Sequence, residues 1–321
     1  MRVLVTGGAG FIGSTLVDRL LAEGHEVDAV DNLATGNVEN LTDARAAGAR
    51  FVFHEVDVCD GKVTDLVAER KPEVVFHLAA QADVRVSVAR PAFDADVNLV
   101  GSLNVFEGAR LGGARKVVFA SSGGTIYGEP APEALPVAED HPQHPVSPYG
   151  VAKKAAGDYL FAYRALHGTS YASLALANVY GPRQDPHGEA GVVAIFAGRL
   201  LAGEPCTVFG DGEQTRDYVY VDDVVDAFVR AADQGDGVLV NVGTGVETSV
   251  NDLYASMARS IGSTAEPVPA PARPGELARS ALDPTLAGSQ LGWKPTTPLD
   301  EGTAKTIDWF RTSSSGAAPP A

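Results

Sequence analysis

The chain opens on an apolar run followed by a glycine-rich turn, Arg2-Val3-Leu4-Val5-Thr6-Gly7-Gly8-Ala9-Gly10-Phe11-Ile12-Gly13. Residues 2–6 have the composition of a β-strand, and a helical segment starts at residue 11. Gly7 permits the tight turn, Gly10 lets a pyrophosphate approach the backbone, and Gly13 allows close helix packing. The N-terminus of the helix then holds the anion with its free N–H groups and dipole. The stretch predicts the first βα unit of a dinucleotide-binding sheet.

An acidic residue completes this fingerprint. Asp31 ends the second predicted strand, about 20 residues after the glycines, as dinucleotide binding requires. A carboxylate there accepts hydrogen bonds from the adenine ribose and repels a 2′-phosphate, so NAD is favoured over NADP. Asp57 and Val58, at the end of the third predicted strand, are candidates for contact with adenine. For these two residues, a routine role at a strand end is the alternative.

The first two-thirds of the chain alternate apolar β-branched runs with helical segments. Continuous runs such as Val74-Val75-Phe76 and Val117-Val118-Phe119 are typical of parallel strands covered on both faces. The alternation predicts an α/β fold with a doubly wound parallel (Rossmann) sheet. The predicted strands are residues 2–6, 26–31, 50–57, 73–79, 115–121 and 171–177, and the predicted helices are residues 11–23, 60–70, 93–111 and 149–167.

After Gly181-Pro182 the alternation loosens, which indicates a second, smaller α/β lobe. A helix near residues 190–202 and a strand at 206–209 are expected there, and residues 238–243 return to the sheet. The Ser-, Gly-, Ala- and Pro-rich tail, residues 313–321, is expected to be disordered. The predicted division gives an NAD-binding domain of residues 1–181 with about 220–246, and a substrate-binding lobe of residues 182–219 with 247–312.

The composition and net charge of the chain argue against several classes of function. The chain has 321 residues, of which 45% are hydrophobic, and a formal net charge of −16. That charge argues against nucleic acid as a partner. The apolar stretches are too short to span a membrane, and the N-terminus lacks the pattern of a signal peptide, so a cytoplasmic protein is expected. Cys59 and Cys206 do not have the spacing of metal ligands, and His77, His187 and the other histidines form no ligand cluster. No metal is therefore expected, and His77 is interpreted as a core histidine.

Three residues form a candidate catalytic group. Tyr149 and Lys153 lie four residues apart on a predicted helix, so both side chains share one face. The nearby ammonium favours the phenolate and lowers the tyrosine pKa toward a workable base. Ser122 ends the fifth predicted strand, and the carboxyl ends of such strands face the ligand crevice. Beside a nicotinamide, the three residues have the pattern of a site that oxidises an alcohol.

From residue 1 to about 311, the chain resembles the extended short-chain dehydrogenase/reductases, and within them the bacterial nucleotide-sugar 4-epimerases of the UDP-glucose 4-epimerase type. The motifs that carry the resemblance are Thr6–Gly13, His77-Leu78-Ala79-Ala80, Ser121–Gly128, Tyr149–Lys153, Asn178–Pro182 and Arg216-Asp217-Tyr218. It implies a UDP-sugar substrate, tightly bound NAD, transient oxidation at sugar C4 and a homodimer formed by helices near 93–111 and 149–167. It also implies that further residues bind the cofactor, namely Phe11, Ile12, Asn32, Leu78, Ala79 and Ala80, together with Tyr149 and Lys153.

The sequence departs from the family pattern at two places. Four residues, Gly123 to Ile126, separate Ser122 from Tyr127-Gly128, where the family usually has three. We place the catalytic hydroxyl on Ser122 because a strand end fixes geometry better than a Gly-Gly turn, and Thr125 is the alternative. Ala82 stands where well-known epimerases carry a lysine that contacts the cofactor.

The resemblance also implies the substrate contacts. Asn178 matches a position that contacts the diphosphate or sugar, and Arg216 and Arg273 match arginines that bind the diphosphate. Ser280 stands where a bulky tyrosine restricts some epimerases to non-acetylated sugars, so 2-acetamido sugars are expected to fit. Four more residues match positions near the base, with core packing as their alternative role: Val192, Val193, Thr207 and Phe209.

Other functions fit the sequence less well. A 4,6-dehydratase normally carries an Asp-Glu pair after its catalytic residue, and Gly123-Gly124 stand there instead. A UDP-glucuronate 4-epimerase is the nearest rival, with Arg85, Ser87 or Thr125 as candidate contacts to a sugar carboxylate. A non-catalytic sensor of NAD or a nucleotide sugar is the alternative from another class. It gives no reason for Ser122, Tyr149 and Lys153 to occur together.

Overall fold

The structure is a computed structural model that describes residues 1–186, 191–272 and 277–314. None of the helices in these ranges combines the length and the apolar composition of a membrane span. The same residues contain no cluster of His, Cys, Asp and Glu side chains suited to a metal ion. Cys59 and Cys206 are both free thiols, the first exposed and the second buried.

Strands and helices alternate through most of the chain. The strands are β1 (Arg2–Thr6), β2 (Glu26–Asp31), β3 (Phe51–Glu55), β4 (Val74–His77), β5 (Lys116–Ser122), β6 (Ser170–Leu176), β7 (Asn178–Tyr180), β8 (Thr207–Phe209), β9 (Thr215–Arg216), β10 (Tyr218–Tyr220), β11 (Val238–Val242), β12 (Thr248–Ser249) and β13 (Val268–Ala270). The helices are α1 (Phe11–Ala22), α2 (Thr42–Arg45), α3 (Lys62–Arg70), α4 (Val84–Ala89), α5 (Pro91–Ala95), α6 (Gly101–Gly112), α7 (Gly123–Ile126), α8 (Pro148–His167), α9 (Val192–Ala202), α10 (Val221–Ala231), α11 (Val250–Ile261), α12 (Thr285–Leu291) and α13 (Leu299–Ser314).

Seven strands form one parallel sheet in the order β11-β6-β5-β4-β1-β2-β3. Successive strand residues point to opposite faces, and each face carries its own apolar core. Val3 and Val5 join the core under α1 and α10, whereas Leu4 joins the core under α3, α6 and α8. The predicted doubly wound sheet is therefore confirmed. Because all seven strands run in the same direction, their carboxyl ends share one edge.

A smaller unit lies beside the sheet, as the sequence predicts. Helices α9, α11 and α13 pack against one another, and β8 pairs in parallel with β13. The predicted helix near 190–202 and strand at 206–209 are confirmed as α9 and β8. Helix α13 extends to residue 314, the second residue of the tail that is expected to be disordered, and the rest of that tail lies outside the described residues. The exact domain boundaries stay a prediction.

The predicted helix over residues 93–111 is interrupted. It consists of α5, a π-helical turn at Asp96–Val100, and α6. π-turns are often found at functional sites because they alter which side chains face inward. Here the irregular segment carries a fully buried asparagine, Asn98, toward the loop that follows β4.

Candidate active site

The glycine turn after β1 has the geometry that a dinucleotide pyrophosphate needs. Gly7 has φ = +68°, and a Cβ there would lie 2.7 Å from the backbone nitrogen of Ala79. A Cβ on Gly13 would lie 2.0 Å from the carbonyl oxygen of Gly7. The Gly10 N–H donates to that same carbonyl over 3.1 Å. Neither Gly7 nor Gly13 can therefore carry a side chain. The backbone of the turn stays accessible to a phosphate at the start of α1.

Asp31 braces this turn from the end of β2. Its carboxylate accepts the Ala9 N–H at 3.0 Å and the Leu33 N–H at 2.8 Å. The side chain is only 8% exposed. A Cβ on Gly36 would lie 2.8 Å from the carboxylate, so the following loop wraps closely around it. The predicted acidic residue thus lies beside the glycine turn, where a ribose binds in dinucleotide folds.

Asn32 and Asp57 form a pair at the edge of the same crevice. The Asn32 amide donates to the Asp57 carboxylate over 2.8 Å. Burial opposes ionisation of Asp57, but hydrogen bonds from the Cys59 N–H and from Asn32 outweigh it and lower the pKa of the carboxyl. Val58 is buried against Gly101 in the core, which favours the packing role for its side chain. Adenine contact by Asp57 and Val58 stays a prediction.

A relay of hydrogen bonds fixes the end of β4. The Ala79 N–H donates to the Thr6 hydroxyl, which lies 2.6 Å from His77 Nδ1. On the other side of the ring, His77 Nε2 lies 2.9 Å from the Ser102 hydroxyl, which itself donates to a backbone carbonyl. The donors and acceptors balance if Nε2 carries the proton. Burial first, then the charge of Lys153, lowers the pKa of His77 to about 3. The interpretation of His77 as a satisfied core histidine is confirmed.

The residues after His77 form a half-buried wall of the crevice. Leu78, Ala79 and Ala80 are each partly exposed. The wall touches the glycine turn, because Ala79 is the residue that a Cβ on Gly7 would strike. Phe11 and Ile12, at the start of α1, are half-buried at the same edge. The structure therefore places these predicted cofactor residues on two adjacent segments, and their contact with NAD stays a prediction.

Tyr149 and Lys153 lie on the first two turns of α8. The Ser147 hydroxyl accepts the Gly150 N–H at 3.1 Å, and Pro148 occupies the first helical position, so this end of the helix is fixed. The Lys153 ammonium lies 5.8 Å from the centre of the Tyr149 ring. It donates to the Ala120 carbonyl of β5 over 2.9 Å. The predicted spacing on one helix face is confirmed.

Burial dominates the electrostatics of Lys153. Its side chain is 2% exposed. Burial lowers the pKa of the ammonium to about 8, and the negative charge of Asp94 partly opposes this. With a pKa of about 8, Lys153 is positively charged well below pH 8 and loses that charge as the pH rises through this value. An ammonium next to Tyr149 favours the phenolate there.

Ser122 lies at the end of β5, and Thr125 lies on α7, which packs against the start of α8. Ser122 precedes α7 as its N-cap, and its side chain makes no capping hydrogen bond. The Thr125 hydroxyl donates to the Ser122 carbonyl over 3.4 Å. A Cβ on Gly150 would lie 2.7 Å from the Thr125 carbonyl, so the short helix packs directly beside Tyr149. The four residues between Ser122 and Tyr127 form the single turn of α7. A Cβ on Gly123 would strike the side chain of Leu282.

The predicted substrate residues Asn178, Arg216 and Ser280 lie in segments that follow the end of β6. Asn178 begins β7, and its N–H donates to the Asp217 carbonyl. Arg216 uses one guanidinium nitrogen for the carbonyls of Thr215 and Leu277, at 2.7 and 2.9 Å. Ser280 is half-buried, and Arg273 lies outside the described residues. These positions stay predictions as substrate contacts.

The four residues predicted near the base divide into two groups. Val193 is 1% exposed and belongs to the main core, so its side chain has the packing role. Val192, Thr207 and Phe209 are half-buried. Val192, Thr207 and Phe209 therefore retain exposed surface that a nucleotide base can contact.

Two buried polar residues near the site are absent from the sequence-based prediction. Asn98 accepts the Gln81 N–H and donates to the Gln81 carbonyl, at 3.0 and 2.9 Å. Asp94 accepts from the side chains of Gln81 and Asn98, at 2.9 and 2.8 Å. The sequence signal for these two residues is that they are polar within an otherwise apolar helical segment. An amphipathic helix explains such residues equally well.

Comparison with known proteins matches this geometry to one family. Residues 3–243 match the model of the NAD dependent epimerase/dehydratase family. A UDP-glucose 4-epimerase of Mycolicibacterium smegmatis is 56% identical, over 98% of this chain and 100% of that protein. The solved UDP-glucose 4-epimerase of Thermotoga maritima with UDP-glucose is 47% identical, with a TM-score of 0.93 over 98% of this chain and 99% of the other. That of Thermus thermophilus in complex with NAD is 46% identical, with a TM-score of 0.90 over 99% and 100%.

Proposed function

This chain belongs to the NAD dependent epimerase/dehydratase family, and on that premise we propose that it is an NAD-dependent UDP-sugar 4-epimerase acting on UDP-glucose and UDP-galactose. The observation that carries the proposal is that Lys153, beside Tyr149 on α8, donates to the Ala120 carbonyl of β5, the strand that ends at Ser122. These residues lie at the sheet edge that also bears the glycine turn and Asp31. The full-length likeness to UDP-glucose 4-epimerases supports the choice of sugar position and nucleotide.

The arrangement assigns a role to each catalytic side chain. Tyr149 takes the proton of the sugar 4-hydroxyl, and Lys153 stabilises the phenolate form. Ser122 donates a hydrogen bond to the same sugar oxygen and helps to transfer its proton. NAD, when bound, supplies reversible acceptance of the C4 hydride. Tyr149 returns the proton after the 4-keto sugar has turned over in the pocket, so the reaction involves no net oxidation.

The surroundings of the crevice suit a nucleoside diphosphate sugar. Arg216 provides a guanidinium beside β7, and its partners at Thr215 and Leu277 hold it in place. Planar guanidinium groups bind phosphate oxygens through paired hydrogen bonds. Asn178, at the start of β7, pairs with Tyr218 of β10, two residues after Arg216. We propose that Asn178, Arg216 and Arg273 bind the diphosphate, with Val192, Thr207 and Phe209 near the base.

The rival activities are less well supported. For a UDP-glucuronate 4-epimerase, Ser87 is unsuited to bind a carboxylate because it is fully buried and donates to the Val84 carbonyl over 2.7 Å. Arg85 already pairs with Asp83 at 2.8 Å. For a 4,6-dehydratase, α7 begins with Gly123-Gly124 and offers no acid. A non-catalytic sensor has no use for a buried ammonium beside Tyr149.

A direct assay tests the proposal. Purified protein is incubated separately with UDP-galactose, UDP-N-acetylglucosamine and UDP-glucuronate, without added cofactor, and the products are resolved by chromatography. Formation of UDP-glucose from UDP-galactose at a constant total of nucleotide sugar is the expected result. A requirement for stoichiometric NADH would indicate a net reductase, and conversion of UDP-glucuronate alone would indicate the uronate epimerase.

Replacing Ser122 by Ala should lower kcat for UDP-galactose by about 10²-fold, since a hydrogen bond to the reacting oxygen is lost. Replacing Thr125 by Val should change kcat less than about threefold, because its hydroxyl is directed to the Ser122 carbonyl. Steady-state kinetics of the two variants provide the comparison. The opposite ranking would place the catalytic hydroxyl on Thr125.

Ser280 is proposed to leave room for a 2-acetamido group. Ser280→Tyr should therefore reduce kcat/KM for UDP-N-acetylgalactosamine by at least about tenfold, with little change for UDP-galactose, because a bulky side chain excludes one substrate selectively. Parallel assays with both substrates measure the ratio. Equal loss on the two sugars would refute this role of Ser280.

We also propose a cytoplasmic homodimer. A groove of about 520 Å³ between α5 and α8 is lined largely by apolar side chains, among them Leu99 and Val151. Neighbouring apolar residues on α8 and on the π-turn are also exposed, including Phe161 at 64% and Val100 at 47%. Exposed apolar surface of this kind supports association of two copies. Sedimentation equilibrium of the purified protein measures its mass in solution, which distinguishes a monomer from a dimer.

A further inference from the structure

Asp94 of α5 lies beneath the cofactor-facing wall, and protein encloses its side chain. Its side chain is 0% exposed. One carboxylate oxygen, Oδ1, accepts from the side-chain amides of Gln81 and Asn98 at 2.9 and 2.8 Å. The other, Oδ2, makes no hydrogen bond within the described residues. A buried carboxylate with a free oxygen is costly unless a nearby charge compensates it.

Lys153 supplies such a charge. Helix α5 packs against α8, which carries Lys153, and the charges of Asp94 and Lys153 act on each other. Burial raises the pKa of Asp94, and the hydrogen bonds from Gln81 and Asn98, together with the Lys153 charge, oppose that rise. Both groups are almost completely enclosed, so solvent screens their attraction little.

Other charged groups near this pair are engaged elsewhere. His77 of β4 is held between Thr6 and Ser102, and its depressed pKa keeps it neutral. Asp83, in the loop before α4, pairs with Arg85 at 2.8 Å. Among the described residues, Tyr149 is a further titratable neighbour of Lys153, on the same helix.

We propose that Asp94 is a positioning residue of the site: its buried carboxylate is the counter-charge of the Lys153 ammonium and holds the cofactor-facing loop through Gln81 and Asn98. This rests on the proposed epimerase function for its catalytic consequence, but not for the charge pairing itself. Asp94 touches neither sugar nor reacting atoms. It acts through Lys153, which in turn acts on Tyr149, and through the loop that includes Ala79 and Ala80.

The replacement Asp94→Asn tests the charge with almost unchanged shape. Without the carboxylate, Lys153 loses its proton at lower pH, so the alkaline limb of kcat should move down by about one pH unit, the size expected for one nearby opposite charge. KM for UDP-galactose should stay within about twofold, because the substrate contacts are untouched. Asp96→Asn is the matched control: it removes the same charge two residues away, at an exposed position, and should leave both quantities unchanged.

A second measurement needs no catalysis. NMR titration of isotope-labelled lysine Cε in the NAD-loaded protein, with the Lys153 signal assigned by its loss in Lys153→Met, reports the protonation of Lys153 directly. Its midpoint should fall by about one unit in Asp94→Asn and stay unchanged in Asp96→Asn. An unchanged midpoint would overturn the proposal. A shifted midpoint in a protein that fails to epimerise UDP-galactose would uphold the charge pair and reject the function.

Discussion

Tyr149→Phe is expected to reduce kcat for the interconversion of UDP-galactose and UDP-glucose by about 10³-fold or more, within the range typical of losing a general base and acid. The phenylalanine keeps the ring beside Lys153 but has no oxygen to take or return the proton of the sugar 4-hydroxyl. KM should change little, because the diphosphate contacts that we assign to Asn178 and Arg216 remain. The assay couples the formation of UDP-glucose to a dehydrogenase and follows NADH.

Tyr159→Phe is the control for that variant. Tyr159 lies on the same helix, α8, and is 44% exposed, away from Lys153. Its activity should equal that of the unmodified protein. The retained NAD in Tyr149→Phe should also stay near one equivalent per chain, which separates loss of chemistry from loss of cofactor. Turnover that survives in Tyr149→Phe would remove the basis of the proposed mechanism.

The sheet and the catalytic helix follow directly from local sequence. Runs such as Val74-Val75-Phe76 are buried on both faces, so their composition alone distinguishes a central parallel strand, and β4 and β5 are where the pattern predicts them. The Ser147-Pro148 pair starts α8 through a cap and a favourable proline, and this puts Tyr149 and Lys153 on the first two turns of the helix. Short-range chemistry determines these features, which is why a single sequence reveals them.

The polar network behind Lys153 depends on contacts between distant segments. Gln81 of the loop after β4 meets Asp94 and Asn98, and Asn98 lies in the π-turn that follows α5. A regular helix over residues 93–111, which the sequence predicts, gives no indication of that turn. Likewise, Val193 matches a substrate-side position in the family, yet tertiary packing buries it in the core. Neither result is encoded in hydrophobic periodicity.

Gly13→Ala is expected to have the second large effect, on cofactor retention and on stability together. The added Cβ would lie 2.0 Å from the Gly7 carbonyl oxygen, far inside any van der Waals contact. That neighbour is backbone and cannot swing away, so the glycine turn and the start of α1 must separate. We expect a destabilisation of about 3 kcal/mol, at the upper end for overpacking. The NAD released on denaturation should fall at least about tenfold, because the displaced N–H groups no longer cradle the pyrophosphate.

Gly198→Ala is the matched control for the same chemical change. Gly198 lies within α9, and a Cβ there meets nothing within 4 Å. Alanine in a helix interior is favoured over glycine by about 0.5–1 kcal/mol, so this variant should melt at the same or a slightly higher temperature and keep its NAD. Calorimetry and quantification of released NAD measure both quantities. If Gly13→Ala retained a full equivalent of NAD, the close contact between Gly13 and Gly7 could not be what shapes the phosphate site, and the assignment of this turn to the cofactor would fail.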